Sequence, residues 1–71
     1  MALVELDAEA DGLAPGTGWS QLMIRGEDVS FVVLAAGDGV GLILRSGADR
    51  DLRFASPGAA AAAYAKIRAA M

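Results

Sequence analysis

The sequence predicts an α+β domain: a small antiparallel β-meander of four strands, with a fifth available at the N-terminus, and one C-terminal helix packed on one face. Three observations carry this. Val29 to Arg45 reads as two apolar strands folded back on the turn Gly37-Asp38-Gly39. The segments on either side of it alternate apolar and polar residues with period two. Ser56-Pro57-Gly58 then opens an alanine-rich stretch with helical spacing. Strand side chains alternate between faces, whereas helix side chains return to one face every third or fourth residue, so the two patterns separate the elements.

Residues 1–18 form an acidic N-terminal segment and a glycine/proline loop. Val4, Leu6, Ala8 and Ala10 share one parity and Glu5, Asp7, Glu9 and Asp11 the other, as expected of a strand with one apolar and one acidic face. A helix is the alternative, since Leu3, Leu6, Ala10 and Leu13 also have roughly helical spacing. The expectation is a strand for the first half and loop after Ala8. Gly12 to Gly18 is loop by composition.

Residues 19–55 hold the meander. Trp19 to Arg25 alternates, with Leu22 and Ile24 on one face and Trp19, Gln21, Met23 and Arg25 on the other. Gly26-Glu27-Asp28 supplies a turn. In the hairpin, Val29, Phe31, Val33 and Ala35 fall on one face and Ser30, Val32, Leu34 and Ala36 on the opposite one. On the return strand Val40, Leu42 and Leu44 oppose Gly41, Ile43 and Arg45. Glycine and aspartate in the turn tolerate the positive φ that a tight hairpin requires. Ser46 to Arg50 reads as another turn and Asp51 to Ala55 as a short last strand with Leu52 and Phe54 inward.

Residues 56–71 are the helix. Ser56 is the N-cap and Pro57 takes the first helical position, where no N–H donor is needed. Ala60, Ala63, Tyr64, Ile67 and Met71 make the apolar stripe, while Lys66 and Arg68 complement the helix dipole. One helix covers one face. The hairpin is apolar on both, so a second face holding some of Val32, Leu34 and Ile43 needs the N-terminal segment or a second chain as cover. A homodimer is expected.

With 71 residues, no cysteine and no histidine, the single domain has neither disulfides nor the usual zinc, copper or non-haem iron ligands, and oligomerisation is the remaining means of stabilising so small a core. A net charge of −3 opposes a sequence-independent phosphate-binding surface. Arginine outnumbers lysine five to one and alanine is heavily used, the imprint of a GC-rich bacterial, phage or plasmid genome. The apolar runs are shorter than the roughly 20 residues of a membrane-spanning helix, and acids stand where a signal peptide carries basic residues. A cytoplasmic protein is expected.

Motif by motif, chemistry recedes. Asp7-Ala8-Glu9-Ala10-Asp11-Gly12 resembles the opening of an EF-hand loop, but Gly18 stands where the bidentate glutamate belongs. Gly37-Asp38-Gly39-Val40-Gly41 follows a strand as a dinucleotide loop does, yet Leu42 replaces the third glycine and a strand follows instead of a helix. Without histidine no nucleophilic triad is available, and Lys66 has no evident reason to lose its proton. The expectation is a non-enzymatic protein without catalytic, cofactor-binding or metal-ligating residues.

Two stretches remain as candidate partner-binding surfaces. On an extended strand Glu5, Asp7, Glu9 and Asp11 would stand about 6.7 Å apart, near the spacing of phosphates along a nucleic-acid strand, which makes the row a candidate DNA mimic towards a basic groove; the reading preferred on the sequence is a solvated, aggregation-resistant strand edge. Trp19, Met23 and Arg25 share a face and combine an aromatic with a guanidinium, as protein hot spots and base-stacking platforms do; a tryptophan in so small a domain equally suits the core or a dimer seam.

The size, acidity and lack of motifs resemble the small inhibitors that phages and plasmids direct against host defences, anti-CRISPR proteins among them. That resemblance implies stoichiometric contact with another protein, such as a nucleic-acid-binding complex. The order of four antiparallel strands and a C-terminal helix in a dimer is also similar to the PC4-like single-stranded-DNA-binding coactivators, which implies a nucleic-acid groove at Arg25, Arg45 and Arg53. A structural or accessory subunit of a larger assembly is the third expectation.

Overall fold

The computed structural model describes residues 3–14, 20–35 and 37–71. Five antiparallel strands form two sheets, and one C-terminal helix packs against them. Strands β1 (Leu3–Asp7) and β2 (Gln21–Arg25) pair as a two-stranded sheet, and β3 (Val29–Leu34), β4 (Gly39–Leu44) and β5 (Asp49–Arg53) form a three-stranded one in the order β3-β4-β5. The helix α1 spans Pro57–Ala70. The N-terminal segment is therefore a strand, its register running from Leu3 opposite Arg25 to Asp7 opposite Gln21. The expected loop from Pro15 to Gly18 lies outside the described residues, as do Trp19 and Ala36.

The strands divide between two sheets because the chain does not make a hairpin between β2 and β3. Gly26–Asp28 instead form a single 3-10 turn that carries the chain from one sheet to the other. Glycine is required at its start: a Cβ on Gly26 would lie 1.8 Å from the carbonyl oxygen of Ala70 at the end of α1. The guanidinium Nε of Arg45 donates to the Glu27 carbonyl and the Arg45 N–H to the Asp28 carbonyl, which ties the turn to the far end of β4.

The core lies between the inner faces of the two sheets and α1. Val4 and Leu6 from β1, Ile24 from β2, Val40 and Leu42 from β4, Leu52 from β5 and Ala60, Ala63 and Ile67 from α1 are buried there, with Leu13 and Phe54 at one end. Alanines on the helix keep its axis close to the sheet, as small side chains must in so small a domain. Tyr64 packs against this core, whereas Met71, expected to continue the stripe, is exposed. Ser56 caps the helix as expected, its hydroxyl accepting the N–H of Ala59 at 3.1 Å.

Two features depart from the expected pattern. The fifth strand begins at Asp49, inside the expected turn, because Gly47 at φ +94° reverses the chain early and lets Asp49 pair with Ile43. More consequential is a β-bulge in β3. Val29 opposes Leu44 but Phe31 opposes Ile43, so Ser30 is the extra residue and inverts the alternation after it. Val29 is buried and Val32 packs against the core, while Phe31 and Val33 turn outward beside Ile43. The surplus apolar face thus holds Phe31 and Val33 beside the expected Ile43; Val32 belongs to the inside, and Leu34, opposite Val40 at the end of the strand, is 45% exposed.

Candidate functional site

The acidic segment does not form one straight row. β1 ends at Asp7, and residues 8–10 turn. The Asp7 carboxylate accepts the N–H groups of Glu9 at 2.7 Å and Ala10 at 2.9 Å, while its own N–H donates to the Asp11 carboxylate at 3.0 Å. Lys66 on α1 closes the arrangement, its ammonium 2.6 Å from Asp11 Oδ1 and 3.5 Å from the Glu5 carbonyl. The two N–H bonds, from Ala10 and then Glu9, hold the Asp7 carboxyl below the ordinary aspartate range, with Lys66 adding to a shift that partial burial opposes. Asp7 and Asp11 are thereby occupied in shaping the turn, and Glu5 and Glu9 remain exposed. Gly12, at φ +72°, lets the chain fold back so that Gly12 to Ala14 run beside residues 53–55. No group of three or more acidic side chains among the described residues is placed to hold a metal ion.

Of the second cluster, Met23 and Arg25 stand exposed on β2, with Met23 retaining 58% of its accessible surface. Trp19, expected beside them, lies outside the described residues. The arginines expected to line a nucleic-acid groove are dispersed. Arg25 is on the two-stranded sheet, Arg45 sits in the turn after β4, and Arg53 on β5 is held between Asp38 at 3.6 Å and Asp51 at 3.4 Å. They do not share a face.

The surface that the sequence pattern misassigned is the outer face of β3-β4-β5. Phe31 and Val33 are 50% and 46% exposed there, adjoining the half-buried Ile43. Gly41, directly opposite Val33, lets that side chain lie close over the neighbouring strand: a Cβ at Gly41 would stand 3.0 Å from Val33 Cγ2. Asp49 and Asp51 of β5 border the patch as a polar margin, since they pair with Ile43 and Gly41 respectively. An apolar centre with a charged rim is the make-up of a protein-contact surface. Only the odd serine within an apolar strand, Ser30, marks the bulge in the sequence, and a serine alone does not identify one.

On the opposite side the two sheets do not meet everywhere. β1 and β3 are joined through α1, but β2 and β5 flank an open seam with a cleft of about 220 Å³. Leu22, Ile24, Leu42 and Leu52 line it, and Arg25, Arg50 and Asp28 stand with them. Arg50 was not among the expected binding residues, because the sequence pattern places it in the turn before the strand; it is the observed register, with Arg50 opposite Leu42, that gives it the parity of Leu52. No helix among the described residues is long and apolar enough to cross a membrane. Comparison with protein-family models, with curated proteins and with solved structures finds no match to this chain.

Proposed function

We propose that this chain is a non-enzymatic protein-interaction module that acts by stoichiometric contact, and that the outer face of its three-stranded sheet closes on a second copy. The exposed patch of Phe31, Val33 and Ile43 carries this reading. Apolar side chains at half exposure on a flat sheet gain on the order of 25 cal/mol for each Å² removed from water, and a second identical sheet packed face to face is the simplest cover.

Three strands and five residues give a face of about 14 by 17 Å, smaller than the roughly 800 Å² per partner of a standard interface. Self-association is therefore expected in the micromolar range. The carboxylates of Glu5 and Glu9 stay outside such an interface and are available to a basic partner, as a small inhibitor of a nucleic-acid-binding complex would need. The test is the solution mass of the protein and of the Val33→Asp variant across the micromolar range, with a concentration-dependent dimer expected for the former and a folded monomer for the latter.

A further inference from the structure

We infer that the seam between β2 and β5 is a binding site for a small amphipathic carboxylate, of the chemistry of a medium-chain fatty acid. The site lies on the inner side of the three-stranded sheet, and Leu42 and Arg50 border both it and the outer patch. Its floor is built from core side chains, Leu22 and Ile24 on one wall and Leu42 and Leu52 on the other, so that a short apolar tail entering it meets the protein interior directly. Its volume of about 220 Å³ falls below the roughly 300–1,000 Å³ of pockets that take drug-sized ligands. One short chain suits that space and a two-chain lipid does not.

The charge at the rim selects the head group. Arg50 pairs with Leu42 across the sheet and shares the inward parity of Leu52, an unusual place for a guanidinium on a strand whose inner face is otherwise apolar. It donates to the carbonyl of its neighbour Asp49 at 2.7 Å, and neither Arg50 nor Arg25 forms an ion pair with a carboxylate among the described residues. Arg53 and Lys66, by contrast, are matched by Asp38, Asp51 and Asp11. Two guanidiniums against the single carboxylate of Asp28 make the cleft locally positive in a chain whose net charge is −3. Guanidinium forks bind carboxylates through paired, charge-assisted hydrogen bonds, so an anionic head over an apolar tail satisfies both parts of the site.

The probe is octanoate, kept below its micellar concentration, added to the whole chain and followed by amide chemical shifts and calorimetry, with 1-octanol and acetate as the tail-only and head-only arms. Saturable 1:1 binding is expected, with shifts centred on Leu22 to Arg25 and Arg50 to Leu52. Arg50→Gln and Arg25→Gln, both at exposed positions, should fold normally and each weaken octanoate about tenfold, leaving octanol unchanged. Acetate should not bind. The assignment is overturned if octanoate shifts nothing, if it shifts Phe31 and Val33 instead of the seam, or if octanoate binds both variants as tightly as the original chain.

Discussion

At the scale of single residues, two positions concentrate the constraints. Gly26 lets the 3-10 turn touch the last carbonyl of α1, and a methyl group there would overlap backbone that cannot step aside. Gly26→Ala is expected to lower stability by about 3 kcal/mol or more, read as a fall in the urea midpoint. Gly58→Ala is the control. It lies in the first helical turn with its nearest neighbour, Ser56 Oγ, at 3.9 Å, and should be neutral or stabilise by about 0.5 kcal/mol. Asp7 governs the other constraint. Because its folded-state pKa is depressed, its stabilising contribution is complete above the ordinary aspartate value and is lost as pH falls through the lower, folded one. The stability difference between the original chain and Asp7→Asn should accordingly shrink as pH is lowered from 5 towards 2, in parallel urea titrations. The acids of this segment were legible as a pattern. Their division into two that shape a turn and two that stay exposed was not, because alternation does not show where the strand stops and Asp7 begins to cap the turn, and because the partner of Asp11, Lys66, comes from the other end of the chain.

Among the elements, the helix was the most legible and the central hairpin the least. Ser56 and Pro57 state the helix start in local chemistry alone, and the structure places the cap there. Ser56→Ala should cost about 1 kcal/mol in the same denaturation assay. The β1 alternation identified the inward residues, since Val4 and Leu6 are buried as their parity requires, but it left the helical spacing of Leu3, Leu6 and Ala10 as an alternative that only the pairing with β2 resolves. In β3 nearly every residue is apolar, so alternation contains no information about which face is which, and one extra residue at Ser30 decides it. The separation into two sheets was hidden for a related reason. Gly26-Glu27-Asp28 has the composition of a hairpin turn, and what makes it a crossover is the packing of Gly26 against α1, a contact between residues far apart in sequence.

For the whole molecule, the arrangement leaves two unlike surfaces on the two sides of the three-stranded sheet, both bordered by Arg50. The outer face of β3-β4-β5 is apolar with an acidic margin, and the seam between β2 and β5 is apolar with a basic one. The first was anticipated in kind, as an uncovered side of the hairpin, and in Ile43, but not in Phe31 and Val33, which the bulge turns outward; the second follows from the sheets' failure to close and had no counterpart in the sequence pattern. A chain of this size gains little net stability from its own core, so burial of Phe31 and Val33 against a second copy would contribute to folding as well as to recognition. We propose that the outer sheet face is a contact surface between copies of this chain. Sedimentation equilibrium across the micromolar range tests it most directly: a monomer–dimer equilibrium that Val33→Asp shifts to a folded monomer is the predicted result, and a monomeric mass for the original chain throughout that range would contradict it.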